Sequence, residues 1–175
     1  MTDKKTAVDK SSKPKKARRA LWDKKWPEHS ALRASVQLTV PFQDADPTGM
    51  AWHGNYFRYY DAARVALLGK LDFAYRSMEA IGQFWPIVDT RSRYVGSVAY
   101  DDVISISAQL VEWEFRLRIY YQVHKADGTL VNEAWTVQVP VGMQAGLPTS
   151  NELLIIGSPE KLIARIDSLI DSSTN

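Results

Sequence analysis

The stretch Gln43-Asp44-Ala45-Asp46-Pro47-Thr48-Gly49-Met50-Ala51-Trp52-His53-Gly54-Asn55-Tyr56 separates two segments of different periodicity. Before it, Val36, Leu38, Val40 and Phe42 alternate with Ser35, Gln37 and Thr39, the period of two that predicts a half-buried strand. After it, Tyr56, Tyr60, Ala63, Leu67 and Leu71 recur at spacings of four, three, four and four. That single apolar stripe predicts a helix from about His53 to Leu71. Asp, Pro and Gly between the two break both patterns and mark a loop. Asp61 and Arg64, three apart on the flank of the stripe, read as a structural ion pair.

Working outward, the chain turns to strands. Phe84–Tyr94 is one, with Pro86 marking it as an edge or a strand start. Ile104, Ile106, Ala108 and Leu110 alternate with Ser105, Ser107 and Gln109, and Leu117, Ile119, Tyr121 and Val123 alternate with Arg118, Tyr120, Gln122 and His124. Asp127-Gly128 signals a hairpin, and Val131, Trp135, Val137 and Val139 supply the returning strand. Ser158-Pro159-Glu160 reads as a helix start. Leu162, Ile163, Ile166, Leu169 and Ile170 continue an apolar face, giving a C-terminal helix over 158–171. A strand, a long helix, then strands on short connections predict an α+β fold: an antiparallel sheet of about five strands wrapped around one central helix.

Charge divides the chain. Residues 1–30 hold ten Lys/Arg against four acids, a net +6, and the remaining residues are −4. The first thirty residues therefore read as a basic leader unable to fold alone, and 31–175 as one domain. Leu21, Trp22 and Trp26 could pack the leader's end back onto it. With no Cys and three His, a disulfide scaffold, a thiolate metal site and a cysteine nucleophile are excluded. No run of about 18 apolar residues suggests a membrane span, and no apolar signal segment opens the chain. The expected compartment is the cytoplasm.

Chemistry concentrates in the loop. Pro47 disfavours helical backbone at Asp46, and Gly49 permits a tight bend before the helix. The first helical turn leaves backbone N–H groups unpaired, with partial positive charge. A carboxylate facing that end is a workable hydrolytic arrangement: the amides polarise a carbonyl while the acid attacks it or activates water. On spacing alone, Asp44 and Asp46 read equally well as turn and cap residues, and His53 as a satisfied residue at a helix start.

Asp46-Pro47-Thr48-Gly49-Met50, His53-Gly54-Asn55-Tyr56 and Tyr60-Asp61-Ala62-Ala63-Arg64 together resemble the 4-hydroxybenzoyl-CoA thioesterase family of hot-dog-fold proteins and the related Tol–Pal-associated acyl-CoA thioesterases. Tyr100-Asp101-Asp102-Val103 is similar to the family's turn into its third strand, and the resemblance covers about residues 33–142. It implies a hot-dog fold and hydrolysis of an acyl or aroyl thioester to free acid and thiol. Asp46 would be the catalytic aspartate, as nucleophile or general base. His53 would sit where a backbone N–H binds the thioester oxygen, its side chain adding a hydrogen bond. Gly49, Met50 and Trp52 would line the substrate site.

No cofactor is implied beyond the coenzyme A or phosphopantetheine of the substrate itself. The resemblance also implies a homodimer or homotetramer with sites at dimer interfaces, and no specific nucleic acid partner. One departure stands out. Where relatives carry a basic turn that contacts CoA phosphates, this chain reads Trp113-Glu114-Phe115-Arg116-Leu117-Arg118. Arg116 and Arg118 remain as candidate phosphate contacts and read equally well as solvated strand-face charge, and an acyl-carrier protein becomes a competing donor, one the basic leader could attract. Hydratase chemistry on the same fold lacks its His-plus-helical-acid pattern here, and a non-catalytic acyl-thioester binder is the third alternative.

Overall fold

A computed structural model describes residues 29–144, 147–148 and 157–174. The basic leader, with Leu21, Trp22 and Trp26, lies outside the described residues apart from its last two. A 3-10 turn (Ser30–Leu32) leads into β1 (Arg33–Thr39), and after two more 3-10 turns the chain enters α1 (Tyr56–Lys70) and α2 (Tyr75–Ala80). Six strands follow: β2 (Gln83–Phe84), β3 (Ile87–Tyr94), β4 (Val103–Glu112), β5 (Leu117–Lys125), β6 (Leu130–Gln138) and β7 (Val141–Gln144). β8 (Leu147–Pro148) and α3 (Glu160–Thr174) complete the order.

The main sheet has five strands in the order β1-β4-β5-β6-β3, and every pairing is antiparallel. β2, β7 and β8 form a small second sheet. The predicted helix is present, its first turn (His53–Asn55) being 3-10 and the α-helix beginning at Tyr56. All five residues of its stripe, Tyr56, Tyr60, Ala63, Leu67 and Leu71, are buried against the sheet. Each aliphatic side chain so buried contributes about 1.5–3 kcal/mol of transfer free energy. Ile104, Ile106, Ala108 and Leu110 of β4, and Leu117, Ile119, Tyr121 and Val123 of β5, are buried as their alternation predicts. Pro86 separates β2 from β3, and β3 is an edge strand. The C-terminal helix adds Leu162 and Ile166 to the core.

Two expectations need correction. Phe42 does not extend the first strand's buried face: β1 ends at Thr39 and Phe42 is 77% exposed, edge-on to Tyr100. The alternation failed there because Pro41 precedes a 3-10 turn that rotates the side chain outward. The apolar set read for β6 also does not all face the helix. Asn132, Ala134 and Thr136 lie opposite the inward Val123, Tyr121 and Ile119, so Trp135 and Val137 occupy the outer face. The inward polar groups are used: Tyr60 Oη donates to Asn132 (2.5 Å), Tyr121 Oη meets Thr136 Oγ1 (3.1 Å), and Arg64 Nη1 donates to Gln138 Oε1 (3.0 Å). Arg64 also bonds Asp61, the structural pair expected from spacing.

Candidate active site

The loop between β1 and α1 is held by backbone hydrogen bonds on both sides. Asp46 N donates to Met50 O (2.7 Å), Trp52 N to Asp44 O (2.8 Å), Ala51 N to Val98 O (2.7 Å) and Tyr100 N to Gly49 O (3.1 Å). Isolated bridges join Ala45 to Ala51 and Met50 to Ala99. The strand-like clamp leaves a tight bend at its tip, where Gly49 takes φ +79°, a region glycine enters without the Cβ penalty. Among the described residues nothing lies within 4 Å of where a Cβ would stand, so the bend is what demands glycine there. Gly54 is different: a Cβ there would meet the Trp52 ring at 2.1 Å, so the indole packs where only a glycine leaves room.

Two carboxylates two residues apart have opposite environments. Asp44 is 1% exposed. Its Oδ2 accepts from Tyr59 Oη (2.8 Å) and Arg58 Nη2 (2.9 Å), and its backbone oxygen accepts from Asn55 Nδ2 (3.0 Å). Burial, then the bond to Asp44, pushes the Tyr59 phenol well above its ordinary range, so Tyr59 stays a donor. Asp44 fixes the loop onto α1.

Asp46 is half-buried and in no ion pair among the described residues. Its Oδ1 accepts from the Thr48 hydroxyl (2.5 Å) and the Thr48 amide (2.8 Å), while its Oδ2 has no hydrogen-bond partner among the described residues. The Thr48 hydroxyl first, and then its amide, hold the Asp46 carboxyl below the usual carboxylate range. The group is thus ionised at neutral pH with one oxygen held and the other available.

His53 opens the helical turn beside this loop. No acceptor among the described residues takes the His53 or Gly54 amide, which leaves two donors at the positive end of the helix. The His53 ring is exposed, 5.0 Å from the Trp52 ring and 6.4 Å from Tyr94, and Tyr94 Oη donates to His53 O (2.9 Å). Met50 and Trp52 are exposed on the same loop, and Phe42 and Tyr100 flank it.

The structure therefore gathers Asp46, Gly49, Met50, Trp52 and His53 on one loop. It does not leave Arg116 and Arg118 as free cations: Glu112 takes Arg116 Nε at 2.5 Å and Arg118 Nε at 3.4 Å, and Arg118 also lies 5.3 Å over the Trp135 ring. Thr48, Tyr59 and Tyr94 were not singled out from sequence. The Asp-Pro-Thr spacing, two residues from carboxylate to hydroxyl, is the signal that could have found Thr48. Tyr59 and Tyr94 act across the fold and had no local signal. Among the described residues no three His, Asp or Glu gather as a metal site, and no helix is long and apolar enough to cross a membrane.

A profile of the thioesterase-like superfamily matches residues 40–165, from the end of β1 into α3. The chain belongs to that superfamily. It is an enzyme of the hot-dog-fold thioesterases. The 4-hydroxybenzoyl-CoA thioesterase of Pseudomonas sp. (strain CBS-3) is 30% identical over 102 residues, 57% of this chain and 71% of that protein. The acyl-CoA thioester hydrolase YbgC of Escherichia coli O6:H1 is 24% identical over 105 residues, 59% of this chain and 78% of its own. Among solved structures, a 4-hydroxybenzoyl-CoA thioesterase variant with one aspartate replaced by asparagine, in complex with 4-hydroxybenzoyl-CoA, aligns with a TM-score of 0.65 and 26% identity. That alignment covers 77% of this thioesterase and 98% of the other chain.

Proposed function

We propose that this thioesterase hydrolyses an acyl or aroyl thioester of coenzyme A to free acid and thiol, with Asp46 as the reacting carboxylate and the amides at His53 and Gly54 as the oxyanion donors. The observation that carries this reading is the state of Asp46: one oxygen held by Thr48, the other unpartnered, on a carboxylate that reaches solvent where Asp44, also with one unpartnered oxygen, is 1% exposed. Relatives named for 4-hydroxybenzoyl-CoA and acyl-CoA support the substrate class.

In the direct route the free oxygen attacks the thioester carbonyl, and the developing oxyanion is met by the helix-end amides. The C–S bond then breaks to give a mixed anhydride and a thiolate. Water opens the anhydride, restoring the carboxylate. In the base route Asp46 instead takes a proton from water, whose oxygen attacks the carbonyl, and that proton leaves with the thiolate. A thioester suits either route because its carbonyl is a good electrophile and the thiolate leaves readily. Gly49, Met50 and Trp52 would contact the acyl portion, and the His53 imidazole would add a hydrogen bond to the thioester oxygen.

We further place the site at the interface of a homodimer, within a dimer or tetramer. β3 pairs with β6 on one side only, and Ile87, Val88, Tyr94 and Val95 along it are exposed. Phe42, Met50, Trp52 and Tyr100 are exposed as well, and exposed apolar side chains beside an open strand edge are what a second copy covers. The expected compartment is the cytoplasm, and no specific nucleic acid is expected as partner. A second reading is favoured by one observation, the pairing of Arg116 and Arg118 with Glu112: the thiol is carried as phosphopantetheine on an acyl-carrier protein, to which the basic leader would be attracted.

Thiol release from acyl-CoA, aroyl-CoA and acyl-carrier-protein substrates tests both readings. Wild-type turnover lost in Asp46→Asn, with the folded state intact, is the expected result. An Asp46→Asn protein as active as wild type overturns the mechanism.

A further inference from the structure

A cavity lies at the far end of α1 from Asp46. The 15 residues of α1 rise about 1.5 Å each, about 22 Å in all, so the two places are separate. This cavity encloses about 370 Å³ between the turn after α1, α2 and the first turns of α3. Small-molecule pockets run from about 300 to 1,000 Å³.

Its floor is apolar. Leu71, Phe73 and Leu162 line it and are buried members of the core, with Ile81 adding a more exposed wall. Its lip is basic: Arg76, Lys161 and Arg165 stand against a single lining acid, Asp72. Arg165 is already engaged, its Nε 2.9 Å from Asp72 Oδ2 and its Nη2 donating to Lys70 O (3.3 Å). The Arg76 and Lys161 side chains have no ion pair or hydrogen bond among the described residues. The cavity thus presents two uncommitted cations above an apolar floor.

That combination is complementary to one ligand chemistry, a small acid with an apolar body. The head satisfies the cations through charge-assisted hydrogen bonds, and the body packs onto the buried floor and covers Ile81, 45% exposed without it. A purely apolar ligand would leave the cations unanswered. The chain's own leader, at +6, brings charge of the wrong sign to a basic lip.

We propose that this cavity is a binding site, distinct from the hydrolytic one, for a small monocarboxylic acid, its carboxylate at Arg76 and Lys161 and its alkyl or aryl body over Leu71, Phe73 and Leu162. Such a ligand ties α3 to α2 and stabilises the docked C-terminal helix.

The test is a methyl-detected NMR titration of the full chain with octanoate, benzoate and 1-octanol. The acids should move the Ile81 and Leu162 methyl signals saturably, and the tighter of the two tells whether the body is a chain or a ring. Octanol should bind at least about tenfold more weakly, and Arg76→Glu with Lys161→Glu should weaken the acids by a similar factor. Thiol release should be unchanged in that variant. Should it fail to fold, Lys161→Gln alone is expected to weaken the acids in the same direction. Three results overturn the proposal: octanol binding as tightly as octanoate, acid-induced shifts confined to residues 44–56, or acids entering only after deletion of residues 1–28, which would make the leader the occupant.

Discussion

In the loop between β1 and α1, the carboxylate Asp46 keeps one oxygen free while backbone hydrogen bonds hold the loop on both sides of it. In the turn between β4 and β5 it is the charge that is tied down: Phe115 is exposed, and both guanidinium groups are drawn onto Glu112. One region spends its hydrogen bonds on geometry and leaves a reactive atom over; the other neutralises its own charge. A substrate meets the first as a finished device, but must exchange an ion pair to engage the second.

The comparison breaks most visibly at the two aspartates. Asp46→Asn should cut kcat/KM by on the order of a thousandfold in a thiol-release assay, since the reacting charge is removed, with the thermal midpoint near wild type. Asp44→Asn should do the opposite. Losing a buried, hydrogen-bonded carboxylate costs about 2 kcal/mol or more of stability by denaturant titration, and activity falls only as the loop loosens. Next in size is Gly49→Ala. A side chain at φ +79° costs about 1–2 kcal/mol, and the displaced Asp46 should lower kcat more than KM.

Thr48→Ala sharpens the contrast without removing any charge. The Thr48 hydroxyl is the largest cause of the depressed Asp46 carboxyl, so its loss raises that group toward the ordinary value. Activity needs the ionised form, which exists above the folded-state pKa. The acid limb of the pH–kcat/KM profile should therefore move to higher pH, with little change at neutral pH, and Thr48→Ser should restore it. The smallest effect belongs to the turn. Glu112→Gln removes the carboxylate that pairs with Arg116 and Arg118, so KM for an acyl-CoA should fall by at most about fivefold, with a steeper salt dependence.

What could be read from the sequence follows from which interactions are local. The α1 stripe and the apolar faces of β4 and β5 are set by side-chain spacing along one element, and they are buried where the pattern puts them, although Ser107 and Gln109 on the other face of β4 are buried as well. β6 misled because its inward positions hold Asn132, Thr136 and Gln138, which are acceptable inside only through Tyr60, Tyr121 and Arg64 on other elements. Trp135 could leave the helix side because Arg91 and Arg118 cover it from the outside, at 5.7 and 5.3 Å from its ring. The loop was legible as a loop, and Asp46 as its distinctive acid. That Asp44 is the anchor and Asp46 the free partner was not legible, since Tyr59 and Arg58 decide it from 15 and 14 residues away.

The start of α3 is joined to the same turn that holds Arg116. Ser158 gives its amide to Glu114 O (2.8 Å) and its hydroxyl to Trp113 O. The terminal helix is thereby a strut braced against that hairpin: pull it away and two carbonyls lose their donors at once. A tail far in sequence from Asp46 thus helps set the posture of the turn, and shortening the protein at its end would be felt there.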